Sequence, residues 1–139
     1  MDRREFCDIL TKRREFLGLS WLKFAFAQNS EPSSLSKIVC GKSNFWVETI
    51  IPIAKTLGLV IVLSNDKEEV TLDSPDKIAG WAAHSYAQMY MSVSKFVTYF
   101  DMSRVALTDN LKGKSRMRID TFLKWAEVTG YTVDLRPIA

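Results

Sequence analysis

The chain has 139 residues, room for one ordinary domain or two very small ones, which excludes the large catalytic folds. Apolar residues make up 47% and charged residues 25%, ordinary values for a chain that buries a core, so wholesale disorder is not expected. The net charge of +3 is too mild to name a partner by itself, but it is unevenly spread: residues 1–63 carry nine basic and six acidic side chains, 64–76 one and five, and 77–139 nine and five.

In chain order, Phe6, Ile9, Leu10, Phe16 and Leu17 recur at helical spacing and predict a first helix over Arg3–Leu17. Ser20 is placed to cap a second helix running to about Gln28. Ser30–Glu31–Pro32 opens a third, with Pro tolerated in the first turn, and Gly41 supplies its left-handed stop. A fourth helix is predicted over Phe45–Leu57, bent by Pro52 and stopped at Gly58, and the β-branched run Val60–Leu63 reads as a short strand. The polar, acidic stretch Ser64–Asp73 reads as a linker. Beyond it, Ser74–Pro75–Asp76 starts a helix carrying Ile78, Trp81, Ala82, Tyr86 and Met89. Helices over Ser92–Phe100, Ser103–Leu111 and Arg118–Thr129 follow, then a strand at Tyr131–Leu135 that could pair with the first.

The second set of elements repeats the first. Sliding the chain by 72 residues lays Ser20–Leu63 on Ser92–Leu135 without a gap, and 11 of 44 positions are identical. Unrelated sequences would share roughly one position in seventeen. The reading is therefore a duplicated unit: residues 1–63, an acidic linker over 64–73, and residues 74–139.

Several functions are disfavoured. Cys7 and Cys40 have neither the number nor the spacing of a disulfide framework or zinc site, and MDRREF lacks the apolar core of a signal peptide, so a cytoplasmic location is expected. The richest apolar stretch, Ile50 to Leu63, is broken by Pro52, Lys55 and Gly58, and no membrane span is expected. His84 stands alone on an apolar helix and reads as a packing or surface residue, so neither metal nor cofactor is expected. Without a nucleophile elbow, a Gly-rich phosphate loop or a supported carboxylate pair, an enzyme is not expected.

The stretch from Leu17 to Leu59 resembles the helix-turn-helix domain of the Cro/C1-type, or XRE, phage-repressor family. The matching features are Leu17-x-Leu19–Ser20, Phe24–Ala25, Ser34–Leu35–Ser36, Gly41–Lys42–Ser43, Glu48–Thr49, Ile53–Ala54 and Leu57–Gly58. The second unit is similar through Ser92, Phe96, Ser103, Leu107, Gly113–Lys114–Ser115, Asp120–Thr121, Ala126 and Gly130. The resemblance implies a mainly α fold: two tandem lambda-repressor-like units of about four helices, each followed by a short strand. It implies a transcriptional regulator, repressor-like and of phage or mobile-element type, that binds double-stranded DNA. In such a unit the third helix enters the major groove while neighbouring amides meet phosphates. The family's base-reading places fall on Pro32, Ser33 and Lys37 in the first unit and on Arg104, Val105 and Asp109 in the second. Arg104 stands out because guanidinium donates twice to guanine O6 and N7.

Departures separate the two units. Where the family often has a phosphate-touching Gln, this chain has Trp21 and Val93. Lys112, Lys114, Arg116 and Arg118 follow the second unit's third helix, against Cys40, Lys42, Asn44 and Trp46 in the first. These four cations, with Lys42, are the candidate phosphate contacts, since neutralised phosphates release counterions; the bland alternative is a solvated loop. The second unit is thus the expected reader. The first carries surplus large apolar groups, Trp21, Leu22, Phe26, Phe45 and Trp46, which suggest an interface with the other unit, with a second subunit in a homodimer, or with another protein. The rival function is accordingly a helix-turn-helix scaffold that binds protein, like some small phage-encoded inhibitors.

Overall fold

The computed structural model describes residues 1–138. Among them the chain forms α1 (Arg3–Phe16), α2 (Trp21–Ala27), α3 (Pro32–Val39), α4 (Val47–Thr56), β1 (Leu59–Ser64) and β2 (Glu69–Leu72). It continues with α5 (Pro75–Gln88), α6 (Val93–Phe100), α7 (Arg104–Lys112), α8 (Ile119–Val128) and β3 (Thr132–Pro137). The protein is mainly helical with one small sheet.

Local sequence sets the helix ends. Asp2 accepts from the Glu5 amide at 2.8 Å to cap α1, and Ser20 and Ser92 accept from Lys23 and Lys95 at 3.2 and 3.3 Å to cap α2 and α6. Each of the first four helices begins 72 residues before its counterpart among α5–α8. The backbone carries the same period. Residues with positive φ among those described form four pairs at that spacing: Gly18 and Tyr90, Asn29 and Asp101, Gly41 and Gly113, Gly58 and Gly130. Left-handed residues stop helices by turning the last amides back onto free carbonyls. At Gly41 and Gly113 this lets Lys42 N and Lys114 N reach the carbonyls of Lys37 and Asp109 at 3.0 and 2.8 Å. Helix α4 runs unbroken through Pro52, whose carbonyl accepts from Gln28 Nε2 at 3.1 Å.

The sheet order is β2-β1-β3, antiparallel throughout, with Ile61 opposite Leu72 on one side and Leu135 on the other. Alternation sends Leu59, Ile61 and Leu63 toward the helices, where Leu135, Val133 and Leu72 are also buried. The two predicted strands therefore pair. The stretch 64–73, however, is not a free linker. Asn65 Oδ1 accepts from the amides of Lys67 and Glu68, both at 2.9 Å, closing a turn that returns the chain as β2 alongside β1. A shared sheet joins the two halves, and buried residues from both, among them Phe6, Phe24, Ile50, Leu63, Phe96 and Trp125, belong to a continuous core.

The core holds α7 in place. Phe96 of α6 packs edge-on against Trp125 of α8 with ring centroids 4.7 Å apart, and Trp81 of α5 meets Phe122 at 5.3 Å. Leu107 of α7 is buried in the same cluster. Trp125 Nε1 donates to Ser85 Oγ at 2.9 Å, which donates onward to the Ala82 carbonyl at 3.2 Å, so this buried indole is satisfied. Trp21 and Trp46 are half-buried and Phe45 is buried, but Leu22 and Phe26 are 72% and 88% exposed. Of the three interfaces open to Leu22 and Phe26, packing between the halves does not occur: α2 turns Phe24 and Ala25 inward, which leaves the opposite stripe to solvent.

Candidate nucleic-acid interface

The second helix pair presents most of the expected site. Ser103 Oγ accepts from Ala106 N at 3.0 Å and starts α7, so Arg104 occupies its first turn. The turn before it is made by Asp101 at φ 51°, the counterpart of Asn29 at the same φ in the first half. Arg104 is exposed, and its Nη2 donates to Ser94 Oγ of α6 at 2.6 Å. That bond fixes the guanidinium over the front of the helix pair and leaves further N–H donors free. Val105 is 69% exposed beside it, while Asp109 is half-buried and its carbonyl holds the loop after α7.

Lys112, Lys114, Arg116 and Arg118 are all exposed. Among the described residues none of the first three takes part in an ion pair or side-chain hydrogen bond, so their charge is uncompensated. The loop is nevertheless anchored. Asn110, largely buried, accepts from Ser115 Oγ at 3.0 Å, and both carboxylate oxygens of Glu48 accept from Met117 N at 3.1–3.2 Å. Arg118 differs from its neighbours. Its guanidinium lies 3.6 Å from the ring centroid of Trp46, and Nη1 donates to the Asn44 carbonyl at 2.9 Å. It therefore ties the two halves together as well as adding charge.

A groove of about 450 Å³ brings part of this set together, lined among others by Ser103, Val105 and Asp109 of the α7 side and by Trp46, Arg116 and Arg118, while Arg104, Lys112 and Lys114 lie outside its lining. On the other side of the loop a second groove of about 440 Å³ is bordered by Glu48 and Asp76 as well as Lys114 and Arg116. Its two carboxylates balance its two cations, whereas the first groove sets Arg116 and Arg118 against Asp109 alone, so the face that favours a polyanion is the first.

Comparison with protein-family models, with curated proteins and with solved structures finds no match to this chain.

The first half places its candidates differently. Ser33 and Lys37 are exposed on α3, as is Lys42 after it, but Pro32 leads that helix and Glu31 gives no side-chain cap. Arg14 covers Trp21, with its guanidinium 4.2 Å from the ring centroid, and Trp21 stacks on Phe24. Three contributors escaped the sequence reading: Ser94, which holds Arg104, and Asn44 and Glu48, which hold the basic loop from across the molecule. Only Ser94 had a local signal, as an outward polar residue on α6.

Elsewhere, burial pushes the Cys7 thiol up to about 12, and Cys40 is exposed. His84 Nε2 lies 3.0 Å from Glu68 Oε1, and Tyr131 donates to the same carboxylate, tying the β1–β2 turn to α5 and β3. Burial, then the Glu68 carboxylate, push the Tyr131 hydroxyl up to about 12. Among the described residues no group of His, Cys, Asp or Glu is arranged to hold a metal ion, and no helix is long and apolar enough to cross a membrane.

Proposed function

We propose that this chain is a sequence-specific double-stranded DNA-binding protein, a repressor-like transcriptional regulator built from two tandem helix-turn-helix units of the Cro type. The observation that carries the reading is the juxtaposition of Arg104, exposed in the first turn of α7, with an anchored, exposed and uncompensated cationic loop directly after that helix. A helix of this length, offered by its N-terminal turn, fits the major groove, and flanking cations fix its position on phosphates. Arg104 and Val105 would read base edges, with Asp109 at the inner margin; Lys112, Lys114 and Arg116 would position. Lys37 and Lys42 supply the first unit's smaller share.

Titration of the protein with duplex DNA across a salt series tests this. Binding should weaken steeply with salt, and Arg104→Ala should cost about 1–3 kcal/mol at one base position only. The protein-binding alternative keeps one specific support, the exposed pair Leu22 and Phe26, which sit a turn apart on α2.

A further inference from the structure

The contacts between the halves have a symmetry of their own. Val62 of β1 pairs with Asp134 of β3, and these are counterparts at the 72-residue offset. To either side, Ile61 pairs with Leu135 and Leu63 with Val133, each the image of the other when the halves are exchanged. A second antiparallel bridge joins Trp46 to Arg118, again counterparts. Around it Val47 N donates to the Met117 carbonyl and Ile119 N to the Phe45 carbonyl, both at 2.8 Å, and each bond is again the image of the other. Residues pair with their own counterparts in antiparallel fashion only on a two-fold axis. The axis runs through Val62–Asp134 at the sheet and Trp46–Arg118 at the other end. A symmetric dimer would build this isologous contact from two copies; here a single chain completes it.

The Trp46–Arg118 end is also where the candidate interface lies, because α7 borders the same groove. The axis carries α3 to the matching place on the far side. We infer that one chain alone occupies a complete site on duplex DNA, made of two unlike blocks in inverted orientation whose centre faces Trp46 and Arg118. Resting on the DNA-binding reading above, the inference adds stoichiometry and operator form. The blocks are unlike because Arg104 and Val105 on one side face Pro32 and Ser33 on the other, and Lys112 and Arg116 face Cys40 and Asn44. Affinity is therefore concentrated on the α7 block. Duplex DNA is the occupant that the charge favours, since Lys112, Lys114 and Arg116 stand exposed with no ion pair among the described residues, and Arg116 lines the groove at this end.

The test uses the full chain and a duplex recovered by selection from a random pool. Sedimentation should give one chain per duplex, and footprinting should show two protected blocks related by inversion. Arg104→Ala should lower affinity about ten-fold or more through one block, and Lys37→Ala a few-fold through the other. Two chains per duplex, or protection of a single block, would overturn the inference and leave the DNA-binding reading standing. Failure to bind any duplex at low salt would overturn both.

Discussion

Neutralising Lys112, Lys114 and Arg116 together should change the salt dependence of DNA binding without changing the fold. All three are exposed and make no ion pair among the described residues, so their removal leaves no buried partner unsatisfied, and stability should stay within about 0.5 kcal/mol of the parent. Arg118 is left intact because its stack on Trp46 and its bond to Asn44 would confound the result. If each of the three meets one phosphate, the slope of log affinity against log salt should fall by about 2.7. Between 50 and 200 mM salt the parent would then lose about 40-fold more affinity than the variant. Fluorescence anisotropy with one labelled duplex, repeated at four or five salt concentrations, reads the slope directly. An unaltered slope with an intact melting curve would refute the assignment and make the cluster a solvated loop.

Gly113→Ala should destabilise the protein by about 1–2 kcal/mol in chemical denaturation, because φ is +72° and the new Cβ would lie 3.2 Å from that of Ala79. Tyr131 gives a pH signature. Its folded-state pKa, raised to about 12, lies above the unfolded value, so its contribution is complete below about pH 10 and is lost as pH rises toward 12; Tyr131→Phe should flatten that alkaline decline in a denaturation series. Phe26→Glu should leave the melting temperature unchanged because the ring is already 88% exposed, while reducing any self-association measured by sedimentation at high concentration.

The helices were legible because their signals are local. Ser20, Ser92 and Ser103 cap where they stand, Pro32 and Pro75 open first turns, and Gly41 and Gly113 close the helices before them. Strand β2 was not legible, since four residues in an acidic stretch become a strand only when β1 lies alongside. Bonds such as Glu48 to Met117 and Asn44 to Arg118 join residues 69 and 74 positions apart, and no sequence period marks them. The exposed cationic face after α7 was readable from charge spacing, but the anchor of Arg104 on Ser94 needed the angle between α6 and α7. Leu22 and Phe26 show the limit of hydrophobicity as a signal: their apolar character was plain, but which surface they would face depended on how α2 turned.

Selection of bound sites from a pool of random duplexes, run in parallel with the parent chain and with Arg104→Ala, tests the proposed DNA reading most directly. The parent should enrich a motif containing guanine opposite the start of α7, and the variant should lose preference at that position while keeping the rest. No enriched motif, or a motif that Arg104→Ala leaves unchanged, would contradict the assignment of α7 as the reading helix.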